Sequence, residues 1–198
     1  MIIIGIDPGY AIVGVGVVEY VGNKFRTLEY NAITTPAGMN TVERLKKIYT
    51  EMTMYIDKYK PDVMAIEELF WNTNQKTGIC VAEARGTILL AAHKKGLNIF
   101  EYTPLQVKQS VVGYGRAEKK QVMMLVKMLL GLENAIKLDD TADALALAIC
   151  HAHCGGSKLR DYYNQKKKKT YEKKNHFHPS CRGVRAHTLC FYRCVLKG

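Results

Sequence analysis

The chain has 198 residues, of which 47% are hydrophobic and 24% are charged, and its formal net charge is +11 at pH 7. This length and apolar content suffice for one folded domain with a hydrophobic core and leave room for an appended segment. The sequence contains no run of about 20 apolar residues, so we predict no membrane-spanning helix. Because the N-terminus also lacks the regions of a signal peptide, we expect a cytoplasmic protein.

The positive charge is concentrated near the C-terminus. Residues 155–198 contain 12 Lys and Arg against 2 Asp and Glu, whereas residues 1–154 contain 17 against 16. The four consecutive lysines at 166–169 are typical of a segment without a folded core. We therefore predict a folded domain over residues 1–154 and a flexible basic tail over residues 155–198.

The folded domain begins with an apolar run, Ile2 to Ile6, that leads into Asp7, Pro8 and Gly9. Such a run is typical of a buried strand, and the Pro-Gly pair ends it in a turn. A carboxylate at the end of a buried strand is unfavourable unless a cation lies beside it. Asp7 is therefore either a turn residue that binds nearby backbone amides or a metal ligand, and both interpretations stay open at this point.

Two further strands are predicted directly after this turn. Over residues 13–17 valines alternate with Gly14 and Gly16, which is the period of a strand. The glycines leave one face of that strand almost without side chains, so another backbone or a ligand can approach it. A turn signal at 22–23 and a third strand over 24–34 complete an antiparallel meander.

The middle of the chain alternates helices with apolar strands. Apolar residues at helical spacing predict a helix that begins at residue 40 or 41 and stops near residue 60, and a second buried strand over 63–66 leads into Glu67. The pattern then predicts a helix over about 79–95, a short strand over 98–103 and a helical turn that begins at residue 104. Two more helices are predicted over about 117–132 and 139–153. This order predicts an α/β fold with a mixed five-stranded sheet flanked by helices.

The predicted helix over 117–132 has an apolar face. Val122, Leu125, Met128 and Leu129 recur at helical spacing, and we expect them to lie together on one face of the helix.

Four acidic residues occupy the ends of predicted elements. Asp7 and Glu67 each follow an apolar strand, and Asp140 and Asp143 lie three residues apart on one face at the start of the last helix. Taken singly, each has an ordinary explanation as a turn or first-turn residue. Brought together, the four carboxylates would repel one another and raise one another's pKa values, which a hard divalent cation relieves.

The ligand chemistry of these acids indicates a particular class of reaction. Oxygen ligands without His or Cys favour Mg²⁺ or Mn²⁺. Two such ions roughly 4 Å apart can activate a water molecule and stabilise the leaving oxygen in phosphodiester cleavage. The pattern therefore favours a metal-dependent phosphodiesterase, provided that the three elements converge.

Five ordered motifs resemble those of the RuvC family of Holliday-junction resolvases, the crossover junction endodeoxyribonucleases of the RNase H-like superfamily. They are IGIDPG around Asp7, AIEELF around Glu67, EARG at 83–86, QVKQSVVGYGRAEKKQV at 106–122 and DDTADALALAI at 139–149. Together they cover essentially all of residues 1–154. The tail beyond residue 163 has no counterpart in this resemblance.

The resemblance implies an RNase H-like fold and a homodimer that binds four-way DNA junctions. It implies that the enzyme resolves these junctions by symmetric paired nicks during recombination and DNA repair. The expected cofactor is Mg²⁺, with two ions per active site and Mn²⁺ as a substitute. The RuvA and RuvB branch-migration complex is the expected protein partner.

The resemblance also assigns roles to residues of this chain. Four acids are implied to be metal ligands and catalytic residues: Asp7, Glu67, Asp140 and Asp143. The catalytic lysines resemble Lys108 and Lys119, which can hold the phosphate and offset developing negative charge. Phe70 resembles the aromatic residue that stacks on an unpaired base at the crossover, with Trp71 as an alternative. Arg116 is a further expected DNA contact.

Two other classes of function stay open. One is a different RNase H-like nuclease, a ribonuclease or a YqgF-like enzyme, which shares the acids but not Phe70 or the segment from Lys108 to Lys119. The other is a junction-binding protein whose acids hold no metal. A comparison of cleavage of four-way junctions with cleavage of RNA–DNA hybrids distinguishes a junction resolvase from the first class. Magnesium-dependent nicking of junctions distinguishes it from the second class. An actin-like or sugar-kinase ATPase needs a second similar half, for which 198 residues leave no room.

Overall fold

The computed structural model of the chain describes residues 1–69, 75–134 and 138–154, without the side chains of residues 75–77. These residues belong to one compact unit, Met1–Ser157. They contain five strands, β1 (Ile2–Asp7), β2 (Ile12–Val21), β3 (Lys24–Thr34), β4 (Val63–Glu67) and β5 (Asn98–Tyr102). They also contain five helices, α1 (Thr41–Tyr59), α2 (Gln75–Lys94), α3 (Pro104–Val112), α4 (Lys119–Leu130) and α5 (Asp139–Cys154). None of these helices is long and apolar enough to cross a membrane.

The five strands form one mixed sheet in the order β3-β2-β1-β4-β5. The first three strands pair in antiparallel fashion as the predicted meander, and β1, β4 and β5 are parallel neighbours. The predicted α/β fold with a mixed five-stranded sheet is therefore confirmed. Because β1 and β4 are parallel and Ile6 pairs with Ile66, Asp7 and Glu67 end adjacent strands at the same edge.

Helices cover both faces of the sheet because successive side chains of a buried strand point to opposite sides. Ile4 and Ile6 of β1 lie in the core with buried residues of α1 and α2. Ile3, on the opposite face, lies in the core with buried residues of α3, α4 and α5. The central strands are therefore apolar on both sides, as the sequence of β1 predicts.

The glycines of β1 and β2 let α5 approach the sheet at backbone distance. A Cβ atom added to Gly5 would clash with the carbonyl oxygen of Ala144, and one added to Gly14 would clash with the carbonyl oxygen of Asp140. A Cβ atom on Gly16 would lie 2.9 Å from a methyl carbon of Leu145. The approach of another backbone to this glycine-bearing face, one of the two possibilities that the sequence leaves open, is thus confirmed.

The buried face of α4 coincides only in part with the predicted apolar face. The residues that α4 buries are Val122, Val126 and Leu130. Leu125 packs partly buried against the core, whereas Met128 is 68% exposed and Leu129 is 37% exposed. Both sets of residues fit helical spacing, and the position of the helix against α3 and α5 decides between them.

Candidate active site

The fold brings the four predicted acids to one edge of the sheet. Asp7 and Glu67 end the parallel strands β1 and β4. Asp140 and Asp143 lie in the first turns of α5, and Asp7 pairs in the sheet with Gly14, the residue that touches the backbone of Asp140. The absence of a side chain at Gly14 therefore sets the start of α5 directly beside Asp7.

The carboxyl groups at this edge interact strongly with one another. Burial, then the charge and hydrogen bond of Glu67, and then the charges of Asp143 and Asp140 raise the pKa of Asp7 from 3.8 to about 8. Burial also raises the pKa of Glu67, although its hydrogen bond with Asp7 opposes the rise. Burial and the surrounding acids therefore bring the pKa of Asp7 close to the neutral range.

Lys119, the first residue of α4, supplies positive charge to the cluster. Its Nζ atom lies 3.0 Å from Oδ2 of Asp143 and 3.3 Å from Oδ2 of Asp139. Although partial burial opposes the change, these two carboxylates raise the pKa of Lys119. Burial raises the pKa of Asp143, and Lys119 opposes that rise. Lys119 thus lies among the acids, as the resemblance implies.

Asp139 is a contact that the sequence interpretation did not single out. It appears in the sequence only as one of two adjacent acids at a helix start, a position where acids are common because of the helix dipole. The spacing of Asp139 could have indicated this contact. Residues four apart on a helix, such as Asp139 and Asp143, lie on one face and can both contact the same cationic group.

The other predicted DNA-contacting residues are less completely placed. Lys108 lies half-buried on α3, and Arg116 is exposed in the connection between α3 and α4. In the described part of the chain neither of them forms an ion pair with an acid. Phe70 and Trp71 lie outside the described residues, so their assigned role stays a prediction.

The residues present fit a hard divalent cation. Four carboxylates share one partly buried edge, where burial first and the neighbouring acids second raise the pKa of Asp7 to about 8. Within residues 1–69, 75–134 and 138–154, however, no three acidic, His or Cys side chains are arranged as ready ligands for one metal ion. The fit to a cation therefore lies in the chemistry of these oxygen donors.

Comparison with known proteins decides the family. The family model for crossover junction endodeoxyribonuclease RuvC matches residues 3–151. Curated proteins of that name are 60% identical over 155 residues in Alkaliphilus oremlandii and 59% identical over 155 residues in Alkaliphilus metalliredigens, and each match covers 78% of this chain and 94% of the relative. The chain belongs to the RuvC family. Nucleases of this family are metal-dependent, which agrees with the donor set of the acidic edge.

Solved RuvC structures have the same fold. Thermus thermophilus RuvC in complex with a Holliday junction is 34% identical to this chain, with a TM-score of 0.75, and the match covers 78% of this chain and 94% of the other. The yeast mitochondrial Holliday junction resolvase Ydc2 is 16% identical, with a TM-score of 0.57, and covers 84% of this chain and 85% of its own, which shows a common fold. The RNase H-like architecture predicted from the sequence is therefore confirmed.

Proposed function

We propose that this protein is an endonuclease that resolves Holliday junctions by symmetric paired nicks during recombination and DNA repair. The family of the chain supports this activity. The observation that carries it is the meeting of the RuvC acids at one sheet edge, where burial and mutual repulsion raise the pKa of Asp7 to about 8. A cluster with that much unbalanced negative charge is suited to a divalent cation and a phosphate.

The proposed metal ligands are Asp7, Glu67, Asp140 and Asp143, and the proposed ion is Mg²⁺, two per site, with Mn²⁺ as a substitute. Bound there, the metal would supply Lewis-acid activation of water and stabilisation of the leaving oxygen in phosphodiester hydrolysis. Lys119, which contacts Asp143, would be placed to hold a non-bridging phosphate oxygen and to offset developing negative charge.

The proposed contacts to DNA outside the metal site come from Lys108, Arg116 and Phe70, together with Lys119. Arg116 is exposed close to the start of α4, where a phosphate can reach it. The basic tail adds phosphate contacts that do not depend on sequence.

The proposed assembly is a homodimer. A four-way junction has two equivalent strands to cut, and paired nicks require two active sites in a fixed symmetric relation. In the described residues two apolar residues on one side of α2, Ile79 and Leu90, are each 54% exposed, and exposed Glu83 and Gly86 lie between them. A second copy of the chain is the occupant that this symmetry requires. The RuvA and RuvB branch-migration complex and a cytoplasmic location remain expectations of the same proposal.

The direct test is nicking of a synthetic mobile four-way junction, with and without Mg²⁺, beside a linear duplex and an RNA–DNA hybrid. We expect paired, symmetric, magnesium-dependent nicks in the junction alone. The variant Asp7→Asn should bind the junction and lose cleavage, and activity within about tenfold of wild type would refute the metal-site assignment. Cleavage of the hybrid would favour another RNase H-like nuclease, and tight binding without nicks would favour a non-catalytic junction-binding protein.

A further inference from the structure

Arg85 of α2 reaches the end of the strand that carries Glu67. Its Nε–H group donates a hydrogen bond of 3.3 Å to the backbone carbonyl of Glu67, and its Nη2 atom lies 3.4 Å from Oε1 of Glu101. The Arg85 side chain is only 15% exposed, so the guanidinium is largely removed from water at this point. A side chain that donates from a helix to the last residue of a central strand fixes that residue from outside the sheet.

The two groups that Arg85 contacts belong to adjacent parallel strands. Glu101 of β5 pairs with Ile66, the residue before Glu67 in β4. Directly past Glu67, the Glu68 N–H group donates a hydrogen bond of 2.8 Å to the carbonyl of Tyr102. The guanidinium therefore joins α2, β4 and β5 where regular strand pairing stops and where the candidate ligand Glu67 must be held.

The contact is to the backbone of Glu67, which matters for metal binding. The side-chain carboxylate of Glu67 is the group proposed to bind the cation, whereas Arg85 binds the backbone carbonyl of the same residue. The carbonyl bond therefore leaves the carboxylate available to a cation. A backbone anchor of this kind fixes the Cα–Cβ direction of Glu67 and so limits where its carboxylate can lie.

We propose that Arg85 is a positioning residue for Glu67, and that it orients this ligand for the cation through its carbonyl bond and its ion pair with Glu101. The role requires the planar fork of arginine, because one donor group serves the carbonyl while another serves the carboxylate. The proposal rests on the proposed function, since it takes Glu67 to be a metal ligand.

The test compares Arg85→Gln and Arg85→Lys with the wild type. Arg26→Gln is the matched control, because Arg26 forms an ion pair of 2.6 Å with Glu19 while its side chain is 71% exposed. Three quantities are measured: junction affinity in EDTA, the single-turnover nicking rate as a function of Mg²⁺ concentration, and the rise in Tm that Mg²⁺ causes in the DNA-free protein.

We expect Arg85→Gln to keep its junction affinity within about threefold, since Arg85 makes no proposed contact to DNA. The Mg²⁺ concentration for half-maximal nicking should rise about tenfold or more, which is typical of losing a group that orients a metal ligand. The Mg²⁺-dependent rise in Tm should shrink, Arg85→Lys should lie between Gln and wild type, and Arg26→Gln should behave as wild type.

Several outcomes would overturn the proposal. An unchanged Mg²⁺ requirement in Arg85→Gln would remove the positioning role. Weaker junction binding with an unchanged Mg²⁺ requirement would make Arg85 a DNA contact instead. Loss of cooperative melting in both variants would make it a residue of the fold. If the wild type itself does not nick junctions, the proposed function fails, and the Mg²⁺-dependent rise in Tm still reports separately on Arg85.

Discussion

At the scale of single residues, the site depends on how carboxylates are kept close without a cation. Burial and the neighbouring acids raise the pKa of Asp7 to about 8, which favours its neutral form beside Glu67. Burial also raises the pKa of Asp143, and its hydrogen bond and ion pair with Lys119 oppose that rise. The ammonium group of Lys119 therefore offsets only part of the negative charge at this edge of the sheet.

The proton on Asp7 predicts how the stability of the metal-free protein depends on pH. The folded-state pKa of about 8 lies above the ordinary value of 3.8, so the folded state binds more protons than the unfolded state between these values. The stabilisation from this proton is complete below pH 4 and is lost as the pH rises through 8.

In EDTA, Asp7→Asn should therefore gain in Tm relative to wild type as the pH rises from 5 to 9, since an amide carries no charge to bury. Thermal melts across this range check the expectation. Glu133→Gln, at an exposed acid, should follow the wild type in parallel. A constant difference in Tm between Asp7→Asn and wild type at every pH would contradict the raised pKa.

Substitutions of the neighbouring residues Lys119 and Lys120 distinguish the effect of a charge at the acidic site from the effect of a surface charge. Both are exposed in part and both begin α4, but it is Lys119 that contacts Asp143 and Asp139. Lys119→Met should lower the single-turnover nicking rate by about 10² to 10³, as is typical of losing a group that stabilises developing charge. Lys120→Met should stay within about threefold of wild type, and equal losses in the two variants would indicate a general effect of charge on DNA binding.

At the scale of elements, sequence patterns were enough to predict those features of a strand or helix that depend only on its own residues. The apolar run of β1, the alternation of glycines in β2 and the spacing of Asp140 and Asp143 each required no tertiary information. The buried face of α4 could not be derived in the same way, because two sets of its residues fit helical spacing. The contact of Arg85 with the carbonyl of Glu67 could not be predicted either, since it depends on where α2 crosses the end of β4.

The close approach of α5 to β2 predicts a sharp effect at Gly14. A Cβ atom there would meet the carbonyl oxygen of Asp140, so Gly14→Ala must push the start of α5 away from Asp7. We expect a destabilisation of about 1–3 kcal/mol by overpacking, and a loss of nicking larger than the loss of junction binding.

The control is Gly86→Ala on α2, where an added Cβ meets nothing within 4 Å. This change should be neutral or slightly stabilising, because alanine favours a helix over glycine. Urea unfolding compares the two variants, whereas nicking by Gly14→Ala is compared with that of the wild type, because Gly86 lies on the side of α2 that is proposed to dimerise. If Gly14→Ala is as stable as Gly86→Ala and as active as the wild type, the backbone contact does not set the geometry of the site.

At the scale of the whole molecule, dimerisation is the property that paired nicking requires. The outward face of α2 carries Leu90 at 54% exposure, and a charge placed there would be buried without a partner in a two-fold interface. Leu90→Glu should therefore shift the protein from a dimer to a monomer of 22.3 kDa in light scattering.

The paired nicks should become single and uncoordinated in Leu90→Glu, while the fold is retained. Met124→Glu on α4 makes the same change at a residue that is 60% exposed and away from α2, and it should leave the dimer intact. A dimeric Leu90→Glu protein, or a monomeric Met124→Glu protein, would move the interface away from α2.

The distribution of charge over the whole chain leads to a final expectation about DNA binding. Residues 1–154 carry 17 basic against 16 acidic residues, so placed residues rather than bulk charge must hold the junction there. The tail is strongly basic, and each phosphate that it neutralises releases counterions and steepens the dependence of affinity on salt. Deleting residues 164–198 should therefore flatten the plot of log affinity against log salt concentration, while magnesium-dependent nicking at saturating protein is spared.

Junction binding measured from about 50 to 200 mM salt tests this expectation, and the Asp7→Asn change is made in both the full-length and the truncated protein to prevent cleavage. An unchanged salt slope would mean that the tail makes no phosphate contacts, and an insoluble or inactive truncation would mean that the folded enzyme requires it.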